Sequence, residues 1–217
     1  MLKHLREPVS GLMHYCAALV AVVGLVILLV LARNDAARQR ALLVYGASLV
    51  LMLMASAAYH LIPGKPRRVE FLRKIDHSAI YVLIAGTYTP ICGLLTDFAQ
   101  WGILSIVWGL ALVGAGIKIF TVRGPRWLTA GIYVLMGWLG VLAVQEAARV
   151  LPAAALVWLA LGGIIFTLGA VVYVTKILDF VPGVFGFHES WHVLVILGCL
   201  CHYIMILVYV APAPGTL

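Results

Sequence analysis

Apolar residues run along this chain in long unbroken blocks. They show neither the alternation of a half-buried strand nor the single stripe of a soluble helix. A helix needs ~20 apolar residues to cross a hydrocarbon core, and seven blocks qualify: Leu12–Leu31, Ala41–Leu61, Ser78–Leu95, Trp101–Ile117, Trp127–Val144, Ala153–Thr175 and Phe187–Val210. Proline and glycine punctuate the gaps, as in Ile62-Pro63-Gly64, Arg123-Gly124-Pro125 and Val181-Pro182-Gly183. Trp101 and Trp127 open their blocks, where an amphipathic ring suits the headgroup layer. The two-residue alternation of an outer-membrane barrel is absent, so the spans are expected to be α-helices. The expected fold is all-α: one seven-helix membrane domain covering residues 1–217, with no connection long enough for a soluble domain. A spanning first block with no small-residue cleavage site after it argues against a cleavable signal peptide.

Composition agrees with that pattern. The chain is 64% hydrophobic and 11% charged, against about 25% charged in an average soluble domain. So few charges cannot cover a water-facing surface. The net charge of +7 does not point to nucleic acid, because the basic residues fill short gaps between apolar blocks. Eleven of the fifteen Lys and Arg, among them Lys3, Arg6, Lys65, Arg73, Arg126 and Lys176, fall on one side of a seven-span topology. Arg33, Arg38, Arg40 and Arg149 fall on the other. The positive-inside rule then places the N-terminus in the cytoplasm and the C-terminus outside. Cys16, Cys92, Cys199 and Cys201 form no C-x-x-C pair and read as buried free thiols.

Ionisable groups in apolar spans are costly and call for a reason. The seventh block opens Phe187-His188-Glu189-Ser190-Trp191-His192, with two histidines at i and i+4 on one helical face, the spacing at which two imidazoles share one metal ion. The second block ends Ser56-Ala57-Ala58-Tyr59-His60, the third opens at Asp76-His77, and the first follows Glu7 with His14 inside it. Helix direction brings them together: the second block ends at the cytoplasmic face, and the first, third and seventh begin there. His14, His60, Asp76, His188 and His192 are therefore expected at one membrane depth.

Three imidazoles and one open position describe a catalytic zinc site, in which the ion keeps its charge and activates a water. Asp76 is placed to take that water's proton, and Ser56 to support the carboxylate or polarise a carbonyl. Each residue alone has a plainer reading. A single interfacial histidine snorkels, Asp76 caps the third helix, Ser56 packs helices, and Glu7 is solvated. His77 and His202 read as structural.

Glu before the first helix, S-x-x-x-H ending the second, Asp starting the third and H-x-x-x-H starting the seventh together resemble the hemolysin III proteins. These are the bacterial branch of the progestin and adipoQ receptor family, in a superfamily that includes alkaline ceramidases. The resemblance spans nearly the whole chain. It implies zinc held by His60, His188 and His192, Asp76 beside the zinc-activated water, Ser56 in support, and residence in a bacterial inner membrane. In the family's first motif, approximately E-x-x-N-x-x-x-H, Ser10 stands here in place of Asn between Glu7 and His14. The roles of Glu7, Ser10, His14 and Glu189 stay open.

Three functions are consistent with these residues. The leading one is a zinc-dependent hydrolase of a lipid amide or ester, ceramide-like by resemblance, acting near the cytoplasmic face in membrane-lipid homeostasis. The second is a receptor or regulator with a structural zinc. The third is an intramembrane metalloprotease, since His188-Glu189-Ser190-Trp191-His192 matches H-E-x-x-H. The expected partner is a membrane lipid, as substrate or ligand. Oligomeric state is open, with a homo-oligomer among the options.

Overall fold

A computed structural model describes residues 5–96, 98–181 and 184–212; Lys3 and the Pro182-Gly183 turn signal lie outside the described residues. Seven long helices follow in order: α1 Pro8–Leu31, α2 Ala36–Leu61, α3 Pro66–Cys92, α4 Phe98–Phe120, α5 Arg126–Val150, α6 Ala153–Thr175 and α7 Phe187–Tyr209. Helix α4 opens with a π turn at Phe98–Gly102, and α5 tightens into a 3-10 turn at Leu139–Ala143. Local chemistry sets the ends. Asp35 caps α2, its carboxylate accepting from the backbone of Ala37 (3.1 Å) and Arg38 (3.0 Å). Pro66 occupies the first turn of α3, where its missing N–H costs nothing.

Six of these helices are long and apolar enough to cross a membrane; α3 is not. The expected third span, Ser78–Leu95, captured only its apolar half. The helix begins twelve residues earlier, at Pro66, and carries Arg67, Arg68, Glu70, Arg73, Lys74 and Asp76. Lys, Arg and Glu are good helix formers, so a fall in hydropathy marks no helix end here. Asp76 therefore lies about three turns inside α3 and does not cap it. Arg67, Arg68 and Glu70 are exposed at the start of the helix, and Asp76 is buried in the part of the bundle where α3 packs against α2, α4, α5 and α7. The ring closes where α1, already paired with α2, meets α7.

The outer surface is apolar. Val20 is 72% exposed, Leu112 67% and Leu142 72%, whereas soluble monomers rarely leave such a belt uncovered. Lipid tails supply the cover. Cys16 is on that outer surface and is not buried as expected, while Cys92, Cys199 and Cys201 are buried; all four thiols are free.

Inside, small residues bring helices close. A Cβ on Gly86 of α3 would collide with Ser48 Oγ of α2. Gly86→Leu is expected to wedge α2 from α3 and destabilise the bundle by about 1–3 kcal/mol, read as a lower thermal midpoint in detergent. An unchanged midpoint would mean that this contact yields without cost.

Candidate metal centre

His60 is the penultimate residue of α2, His188 the second residue of α7, and His192 lies one turn further on. The end of α2 and the start of α7 meet, and one ring nitrogen from each histidine lies within 4.8 Å of the others. His60 and His192 are fully buried, at 1% exposure each, and His188 is half-buried. The Nε2 atoms of His188 and His192 are 3.1 Å apart. Tetrahedral zinc with Zn–N bonds of about 2.0–2.1 Å requires nitrogens ~3.3 Å apart. The three side chains thus fit one small divalent ion.

The remaining ring nitrogens strengthen the fit. His60 Nδ1 bonds to Glu7 Oε2, and His192 Nδ1 lies 2.8 Å from His14 Nε2. With both Nδ1 positions engaged, His60 and His192 turn Nε2 toward the shared space. Unprotonated nitrogens 3.1 Å apart repel, and a cation between them removes that repulsion.

Helix α7 begins in a way that holds its histidines. Glu189, three residues after the N-cap Gly186, accepts from the Gly186 backbone N–H (2.9 Å) and from Ser10 Oγ (2.8 Å). Ser190 Oγ lies 3.0 Å from the carbonyls of both Leu178 and Gly186, tying the preceding loop to the helix. Leu178 and Lys176 hold left-handed backbone conformations, at φ 67 and 59, which lets α6 end and the chain double back. Glu7 sits just ahead of α1, and its backbone N–H donates to the carbonyl of His60 (3.0 Å). The hydrogen bond to His60 holds the Glu7 carboxyl down to about 2, and Arg6 adds to the effect.

Asp76 and Ser56 are buried, at 6% and 2% exposure, and line a cavity together with His14, whose ring meets His192. Asp76 is not among the converging ligand atoms. The cavity has a volume of about 160 Å³ and runs among the helices from Asp76 and Ser56, past Tyr133 and Trp191, to Phe166 and His202. His202 lies ten residues beyond His192 in α7, ~15 Å of helical rise, so it stands at the far end of the cavity and outside the histidine cluster. His77 lines the cavity too, with its carbonyl accepting from Tyr133 Oη (2.9 Å).

The expected trio is therefore assembled, while Asp76 and Ser56 lie outside it as lining of the cavity. His14, Ser10 and Glu189, whose roles were open, prove to be partners around it. The spacing of Glu7, Ser10 and His14, at i, i+3 and i+7, already marks one face of a helix. Nothing in the spacing names the helices which that face meets.

Comparison with known proteins gives the family. The family described as "Haemolysin-III related" matches residues 2–203. The chain is 35% identical over 212 residues to the hemolysin-3 homolog of Bacillus subtilis (strain 168), covering 96% of each protein. It is 34% identical over 212 residues to hemolysin-3 of Bacillus cereus, covering 95% of this chain and 93% of that one. A more distant similarity, 27% over 147 residues, reaches the adiponectin receptor protein of Drosophila melanogaster, covering 60% of this chain and 33% of the receptor. With seven helices, a buried histidine trio able to hold a metal ion and these matches, the chain is a multi-pass membrane protein that belongs to the haemolysin-III family.

Proposed function

We propose that this protein is a zinc-dependent hydrolase of a membrane lipid amide or ester, with ceramide-like amides as the substrate class. The observation that carries the reading is a buried three-histidine ligand set, with the buried carboxylate of Asp76 outside it and lining, together with Ser56 and His14, a largely apolar cavity. A structural ion usually takes four protein ligands, whereas catalytic sites keep a position open. Bound at the trio, zinc supplies Lewis acidity and lowers the pKa of a coordinated water.

The chain's own residues supply the rest. Asp76 accepts a proton where the carbonyl carbon of the substrate is attacked and returns it to the leaving group. Ser56, on the same cavity wall, orients Asp76 or donates to the substrate. The apolar wall, with Leu49, Met52, Ile80 and Phe166, takes the aliphatic chain and keeps water from the reacting bond. By the distribution of Lys and Arg, the N-terminus and the site face the cytoplasm in a bacterial inner membrane, and substrate enters from that leaflet.

The test is product release from a ceramide-like amide in proteoliposomes. Hydrolysis should stop on chelation and return with zinc; failure to cleave both amide and ester lipids in the zinc-loaded state would end the hydrolase reading. A receptor function is the second reading, favoured by the similarity to a protein named as an adiponectin receptor. The protease reading loses its base: the Glu189 carboxylate is bound to Ser10 and to the start of α7.

A further inference from the structure

We infer that the inner face of α1 is the positioning element of the metal centre, with Glu7 orienting His60 and His14 orienting His192. The inference rests on the metal reading above and adds to it the groups that fix ring tautomer and direction.

Two observations carry it. The first is hydrogen-bond direction. An ionised Glu7 can only accept, so His60 Nδ1 must donate to it, which leaves His60 Nε2 as a lone pair. The same requirement at His192 makes its Nδ1 the donor to His14 Nε2, at 2.8 Å. The His14 proton then sits on Nδ1, which has no partner among the described residues. With the opposite tautomer, His14 would donate to His192 and put the His192 proton on Nε2, blocking it as a ligand. As an acceptor at Nε2, His14 holds His192 in its ligating form.

The second observation is placement. Glu7 and His14 come from one end of α1, while the rings they hold belong to α2 and α7. His14 is 2% exposed and meets His192 edge-on, with ring centroids 4.2 Å apart. Ser10, between them, reaches Glu189 at the first turn of α7. One helical stripe thus holds two ligands and the start of the helix that bears two of the three. Ligating histidines generally donate their second N–H to such a partner, and losing it costs roughly 10–100-fold in metal affinity.

The test uses the full-length protein purified in detergent, with zinc affinity from competition against a chromophoric chelator and the visible spectrum of the cobalt-substituted form. Glu7→Ala and His14→Phe should each weaken zinc binding by roughly 10–100-fold and alter the cobalt bands. Glu7→Gln and His14→Gln keep a side-chain oxygen acceptor and should recover most of the affinity. A packing role predicts the reverse at position 14, because Phe keeps ring volume and Gln does not. The thermal midpoint of each zinc-stripped variant reports folding without the ion. A fall there, with an undiminished rise on adding zinc, would overturn the proposal, as would wild-type affinity in Glu7→Ala and His14→Phe. A wild-type protein that binds neither zinc nor cobalt would remove this inference and the metal reading together, whereas wild-type binding with unaffected variants removes the inference alone.

Discussion

Asp76→Asn is expected to abolish hydrolysis while leaving the metal bound. Asn has nearly the same shape, so the buried site beside Ser56 keeps its packing. It cannot accept a proton, and general-base catalysis is worth about 10²–10⁴ in rate. Retention of metal follows from the geometry, since Asp76 lies outside the converging ligand atoms. The measurement pairs metal content by elemental mass spectrometry with product release from a lipid amide in proteoliposomes. Unchanged turnover would exclude Asp76 from proton transfer. Loss of the ion along with activity would make Asp76 a fourth ligand and favour a structural zinc.

His192→Ala should have the larger effect on binding. Structural zinc sites show apparent binding free energies of about 10–16 kcal/mol over four ligands, so one ligand's share is ~3 kcal/mol, about two orders of magnitude in affinity. His192 also meets both His14 and His188, so its loss frees two further rings. Zinc at a hundredfold excess over Kd should raise wild-type stability by about 2.7 kcal/mol; in His192→Ala at the same zinc concentration the rise should nearly vanish. The readouts are metal content and thermal midpoint with and without zinc. A variant that keeps its zinc would remove His192 from the ligand set.

Much of this was legible in the residues because a bilayer is a demanding solvent. Block length alone located all seven helices, and α6 runs over Ala153–Thr175 as expected. The site histidines were legible for a related reason: the i, i+4 pair fixed a face, and alternating helix direction brought His60 to the same depth. Helix α3 was misread because hydropathy reports what a segment faces. The first turns of α3 carry exposed charge at Arg67, Arg68 and Glu70 without ending the helix, and Pro66 marks its start. The outer partners of the histidines were hidden for a different reason. Spacing places Glu7, Ser10 and His14 on one side of α1, but only packing decides that α2 and α7 lie opposite.

The tie between Ser10 and Glu189, 179 residues apart, bears on how the protein is made. Helices enter the membrane in the order of synthesis, so α1 and α2 arrive early, with one ligand between them. His188 and His192 come with the last helix. No two-histidine grip on an ion is available until α7 has been inserted and has packed against α1. Chains stalled or cut before Phe187 would hold His60 alone and stay empty.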